Sequence, residues 1–115
     1  MLKKQYRLKK RKSFNYIYRR GKHYGNDMLT LVFVFAKMKD IKIGFSVSKK
    51  VGNSVVRHKV IRRMREAAKP LVSVIKENHS IIFVAKEGLD KFKPVDIQKA
   101  MEELLGRAGL MQSTE

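Results

Sequence analysis

Hydrophobic positions fall into short runs with two different periods. Residues 28–36 (MLTLVFVFA) are β-branched and aromatic almost without a break, which predicts a strand covered on both faces or nearly so. Residues 41–48 (IKIGFSVS) alternate. Ile41, Ile43, Phe45 and Val47 share one face; Lys42, Gly44, Ser46 and Ser48 share the other. A strand face of Gly and Ser leaves its backbone open to something flat and close. Residues 37–40 read as the turn between these two strands, residues 81–85 (IIFVA) as another buried strand, and a short extra strand is expected near His23 and Tyr24.

Helical spacing occupies the rest. Phe14, Ile17 and Tyr18 lie at i, i+3 and i+4, with Ser13 as N-cap and Gly21 as stop. A longer helix follows Asn53, its N-cap. Val56, Val60, Met64, Ala67, Ala68 and Leu71 form its apolar stripe, opposite His58, Lys59, Arg62, Arg63, Arg65 and Glu66. Arg57 falls on the apolar side but in the first turn, where a long side chain can snorkel past the core edge. Pro70 should end or kink this helix, before a further short one at 71–76. Pro94 opens a last helix with Val95, Met101, Leu104 and Leu105 as core candidates, its end frayed by Gly106 and Gly109. The order predicts an α+β, split βαβ sandwich: one sheet, helices mainly on one face. At 115 residues a single domain is expected, with residues 1–12 a basic arm and 106–115 a frayed tail. Repulsion among its cations disfavours order in the arm without a partner.

Charge sharpens this picture. The chain has 27 Lys+Arg against 10 Asp+Glu, a formal +17. Residues 1–23 hold ten cations and no acid, residues 49–69 eight cations and one acid, and residues 70–115 six cations and seven acids. Like charges at helical spacing repel, so Arg57, Lys59, Arg62, Arg63 and Arg65 on one helix imply a polyanion rather than added stability. A basic membrane-surface protein has the same composition, so charge alone does not name the partner. The apolar stripe of the helix is needed for the core, however, which argues against membrane.

Few catalytic devices are present. There is no cysteine, hence no disulfide framework and no Cys-based zinc site, in keeping with a reducing compartment. No run of eighteen apolar residues spans a bilayer, and the basic start lacks an apolar signal core. His23, His58 and His79 lack ligand spacing, Glu102 and Glu103 are adjacent on a surface helix, and Gly52-Asn53 is too isolated for a phosphate loop. Phe14, Tyr16 and Tyr18 admit two readings: core packing, or a stacking surface for single-stranded bases beside Ser46 and Ser48.

The motifs then combine. Ser46-Val47-Ser48-Lys49-Lys50, Val51-Gly52-Asn53-Ser54-Val55, Arg57-His58-Lys59, Arg62 and Arg65-Glu66 resemble the signature of the bacterial ribonuclease P protein component. Tyr6-Arg7-Leu8-Lys9-Lys10, Ser13-Phe14, Ile17-Tyr18 and Gly21 are similar to its N-terminus, so the resemblance runs to about Leu105. It implies a ribosomal protein S5 domain 2-like fold, an αβββαβα sandwich with a left-handed βαβ crossover, against the usual right-handed rule. It further implies a cytoplasmic subunit pairing 1:1 with a catalytic RNA, the holoenzyme using Mg2+ to cut the 5′ leader from precursor tRNA. The protein alone would be non-catalytic. By matching positions, Lys49, Lys50, Asn53, Arg57, His58, Lys59, Arg62, Arg63 and Arg65 would serve the RNA-facing turn and helix. Lys10, Phe14, Tyr18, Val32 and Ser46 would line a cleft for the leader. His58 stands where the family has Asn, and lacks an amide's paired donor and acceptor. Ile61 stands where the family has Lys and loses a phosphate contact. The rival readings are a general RNA-binding or RNA-chaperone module of the same fold and a stand-alone nuclease.

Overall fold

The computed structural model describes residues 4–36 and 41–112. They form helix α1 (Arg11–Arg20), strands β1 (Lys22–Gly25), β2 (Leu29–Phe35) and β3 (Ile41–Ser46), helix α2 (Ser54–Ala68), strand β4 (His79–Ala85) and helix α3 (Pro94–Ala108). Short 3-10 turns occupy Lys4–Tyr6, Lys69–Val74 and Leu89–Lys91. The strands lie in the order β1-β2-β4-β3. The β1–β2 and β2–β4 pairs are antiparallel, whereas β3 and β4 run parallel and are joined through α2. This is the expected α+β order, the extra strand included; the turn expected at residues 37–40 lies outside the described residues.

Alternation along the strands builds two cores, one on each face of the sheet. Leu29, Leu31, Ile41, Ile43, Ile81 and Phe83 meet Val60 and Met64 of α2 and Ile97, Met101 and Leu104 of α3. On the opposite face Val32 and Ile82 close beneath Ile17 of α1. Each fully buried aliphatic side chain contributes roughly 1.5–3 kcal/mol, so the first face dominates stability. The second is small, and two glycines decide whether it closes. A Cβ on Gly44 would lie 2.5 Å from Phe14 Cζ, so the phenyl ring rests directly on the β3 backbone. A Cβ on Gly21 would lie 2.5 Å from Ile17 O and 2.8 Å from Phe33 O. Gly21 ends α1 as expected, its N–H donating to Ile17 O at 2.7 Å, but for closeness to β2 rather than for a left-handed backbone: its φ is −79°.

Four expectations need correction. Helix α1 starts at Arg11 with Lys10 as its N-cap residue, not Ser13. Leu8 N donates to Ile43 O at 2.9 Å, and the helix begins two residues after the chain leaves the edge of β3. Val95 is 54% exposed and not core, because it stands about 200° around α3 from Ile97, which leads the buried stripe Ala100, Met101, Leu104 and Leu105. The end of the chain is not frayed through residue 112. Gly109, at φ 73°, turns the backbone so that Leu110 is buried, and Gln112 N donates to Val74 O at 2.6 Å. Residues 113–115 lie outside the described residues. Within the basic arm, residues 4–8 are placed against β3: Arg7 bridges Ile43 in parallel, and Lys42 Nζ donates to Gln5 O at 2.5 Å.

Gly44→Ala should lift Phe14 off the sheet and destabilise the protein by about 1–3 kcal/mol, the usual cost of overpacking. Urea unfolding measures this; an unchanged midpoint would mean that the ring steps aside freely.

Candidate nucleic-acid interface

The basic face of α2 is built from its N-terminal turn. Beyond β3 the chain turns at Lys49 and Lys50, with Val51 N donating to Ser48 O at 3.1 Å. Val51 is buried and anchors the turn, which leaves both lysines exposed. Gly52 lies against Val56, where a Cβ would come within 2.7 Å of Cγ1. Asn53 is the N-cap expected from the sequence: its Oδ1 accepts from Val56 N at 3.0 Å. No acid occupies the first turn of α2, so the helix dipole adds to the positive potential of the lysines. With Val60, Met64, Ala67 and Ala68 buried beneath, His58, Lys59 and Arg62 stand fully exposed outward.

Arg57 and Arg65 are different in kind. Both are half-buried, and the Nε of each is buried without a hydrogen-bond partner. Burial, and then the charge of Arg7, pull the Arg65 guanidinium below its ordinary pKa. Arg65, with a partly buried N–H and the charge of Arg7 acting on it, makes a site that an anion would stabilise. Arg63, by contrast, is turned to the fold. Its Nη1 donates to Asp90 O at 2.6 Å and Phe92 O at 3.1 Å, fastening the Leu89–Lys91 turn to α2. It therefore leaves the RNA-facing set as a fold residue. Ile61 is half-buried, as its chemistry suits.

The five residues expected to line one cleft do not share a surface. Phe14 and Tyr18 are half-buried partners of the small core on the α1 face, and Ser46 is half-buried on that same strand face, two residues along from Gly44. Val32 is only 1% exposed and sealed under Ile17, so it shapes the cleft without touching its contents. Lys10 opens instead onto a separate groove, with Tyr16, Val34 and Lys42. The flat object that the Gly and Ser face predicted is, at Gly44, the chain's own Phe14. Asn26 escaped notice although Asn at a turn is a recognisable signal. Its Oδ1 accepts from Met28 N and Leu29 N, and its Nδ2 donates to Ala100 O at 3.1 Å, tying the β1–β2 turn to α3.

Among the described residues no group of three His, Cys, Asp or Glu could hold a metal ion. No described helix is long and apolar enough to cross a membrane.

Residues 2–109 match the family model described as Ribonuclease P. The chain is 41% identical over 112 residues to the "Ribonuclease P protein component" of Clostridium novyi, covering 95% of this chain and 98% of that one. It superposes on the solved RNase P protein of Staphylococcus aureus with a TM-score of 0.82 at 32% identity, covering 93% of this chain and 98% of that one. A second Staphylococcus aureus structure, described as a mutant with defective mRNA degradation activity, gives a TM-score of 0.83 at 33% identity, covering 93% and 91%.

Arg63→Ala should lower the melting temperature, because two carbonyls lose their donor, whereas Arg62→Ala should change stability by no more than about 0.5 kcal/mol. Thermal unfolding of the two variants side by side tests the assignment; equal melting temperatures would return Arg63 to the exposed set.

Proposed function

The chain belongs to the ribonuclease P protein family, and from that membership we propose that it serves its holoenzyme through two separate surfaces. It is the protein component of ribonuclease P, the endoribonuclease that matures tRNA 5′ ends. The first surface comprises Lys49, Lys50, Asn53, Arg57, His58, Lys59, Arg62 and Arg65. It faces the catalytic RNA, one protein to one RNA. The observation that carries this is the pair of half-buried guanidiniums, Arg57 and Arg65, whose Nε atoms have no partner among the described residues. Phosphate oxygens supply the missing acceptors, and guanidiniums bind them in pairs of parallel hydrogen bonds.

The second surface is the flank of α1 with Phe14, Tyr18 and Ser46. It receives the single-stranded 5′ leader of precursor tRNA, whose bases stack on the rings. Stacking of this kind is worth roughly 1–3 kcal/mol per base. The protein's part is to bind the leader and to screen repulsion between two polyanions, so that substrate and catalytic RNA approach. The Mg2+ on which the family's chemistry depends would be held by the RNA. The absence of cysteine agrees with a cytoplasmic site of action.

A second reading has one observation behind it: the Staphylococcus aureus structure described by its loss of mRNA degradation activity. By this reading the protein itself takes part in RNA breakdown. Incubating it with an mRNA in the absence of the catalytic RNA tests that; intact mRNA would dismiss it.

The main reading is tested by cleavage of a leader-bearing precursor tRNA at low Mg2+, using a bacterial ribonuclease P RNA with and without the protein. Stimulated cutting at the mature 5′ end is expected. Arg62→Ala should weaken assembly with the RNA and reduce its log–log salt slope by about 0.7–0.9. Phe14→Ala and Tyr18→Ala should weaken binding of precursor more than of mature tRNA. An equal loss on both substrates would remove the leader from this flank.

A further inference from the structure

Helix α1 lies across the sheet as a ridge, and the leader reading uses only one of its flanks. The register shows why there are two. Gly44, Ile82 and Val32 form the central row across β3, β4 and β2, covered by Phe14 and Ile17. Ser46, Val84 and Thr30 make the row on one side; Lys42, Ser80 and Val34 make the row on the other. Tyr16 and Tyr18 are about 200° apart around the helix, so their rings leave the ridge on opposite sides.

The second side is a groove of about 1100 Å³ between α1, the arm and the row Lys42, Ser80 and Val34. Arg7, Lys9, Lys10, Lys12, Arg19 and Lys42 line it, and among the described residues no carboxylate does. Lys9, Lys10, Lys12 and Arg19 are exposed. The arm forms one wall because Leu8 and Arg7 follow the edge of β3. Val34 and Leu8 give the floor an apolar surface, and Tyr16, 50% exposed, stands over it. Six cations, with no acid among the described lining residues, select a polyanion. An apolar floor beside an exposed ring selects one with flat apolar faces. A duplex offers no free base faces, whereas a single strand offers both backbone charge and unstacked bases.

We propose that this groove, on the flank of α1 opposite Tyr18 and Ser46, is a second binding track for single-stranded RNA, with Tyr16 as its stacking platform and Lys9, Lys10, Lys12 and Arg19 as its phosphate contacts. The track is separate from the leader cleft, and α1 divides the two.

The experiment titrates the full-length protein with a six-nucleotide oligouridylate and follows the backbone amide signals by nuclear magnetic resonance, with fluorescence anisotropy for affinity. Saturable shifts are expected at Val34, Phe35 and Ser80. Tyr16→Ala should weaken the interaction at this groove about tenfold, so that those shifts saturate only at correspondingly higher RNA, in line with the loss of one stacked base. Tyr18→Ala should leave them in place. Tyr16 is exposed, so its truncation does not threaten the fold. Shifts confined to Thr30, Ser46 and Val84 would overturn the second track while sparing the leader cleft. Unaltered binding at Val34 and Ser80 in Tyr16→Ala would overturn it too. So would an equally strong response to a poly-glutamate peptide, since charge alone would then account for the groove.

Discussion

The close approach of α1 to the sheet is the constraint on which the functional surface depends. The ring of Phe14 lies on the bare backbone at Gly44, and Gly21 lets the end of the helix descend to the carbonyl of Phe33. A side chain at either position would hold the helix off. The small core of Ile17, Val32 and Ile82 would then open. Because the helix sits low and crosses the middle row, it divides that face of the sheet into two flanks, one of them holding a groove. Packing here is thus the same event as site formation. The ring that fills the space above Gly44 also borders the cleft assigned to the leader.

The larger core works independently of this. It locks α2 and α3 to the other face and leaves the polar side of α2 outward. What distinguishes the fold is how it handles its cations. Several are hydrogen-bonded to backbone carbonyls: Arg63 to Asp90 and Phe92, Arg107 to Gly25, Lys42 to Gln5. A carbonyl satisfies a donor without cancelling its charge, so these bonds stabilise loops while the net charge persists. The half-buried Arg57 and Arg65 extend the effect, since their partly desolvated N–H groups favour an anionic acceptor over water.

Much of the architecture was legible because its signals are local. Asn53 caps its helix, the three longer strands lie where their runs fall, and Pro70 ends α2, all from short-range steric and hydrogen-bonding rules. The misreadings share a cause. Ser13 is a better cap than Lys10 by propensity, but the arm's pairing with Ile43 sets where the helix starts. Two glycines suggest a frayed end, yet Leu110 finds a buried position after the second of them. Val95 is apolar but on the wrong side of α3, and Asn26 looks like an ordinary turn residue until α3 arrives beside it.

Sequence alone determined the element order, the two basic blocks, the alternation that splits β3 into an apolar and a Gly/Ser face, and the motifs that resemble the ribonuclease P protein family. Each is a property of residue type and spacing, and neither changes on folding. Tertiary structure alone decided which cations stand exposed and which are engaged by the fold. It separated Arg63 from Arg62, its neighbour in the chain. It buried Val32 among residues expected to touch ligand, and put Tyr16 and Tyr18 on opposite sides of one ridge. These outcomes depend on contacts between segments far apart in the chain, such as α2 with the Leu89–Lys91 turn or α1 with β3. No local pattern of charge or hydrophobicity encodes which backbone carbonyl a given guanidinium will reach.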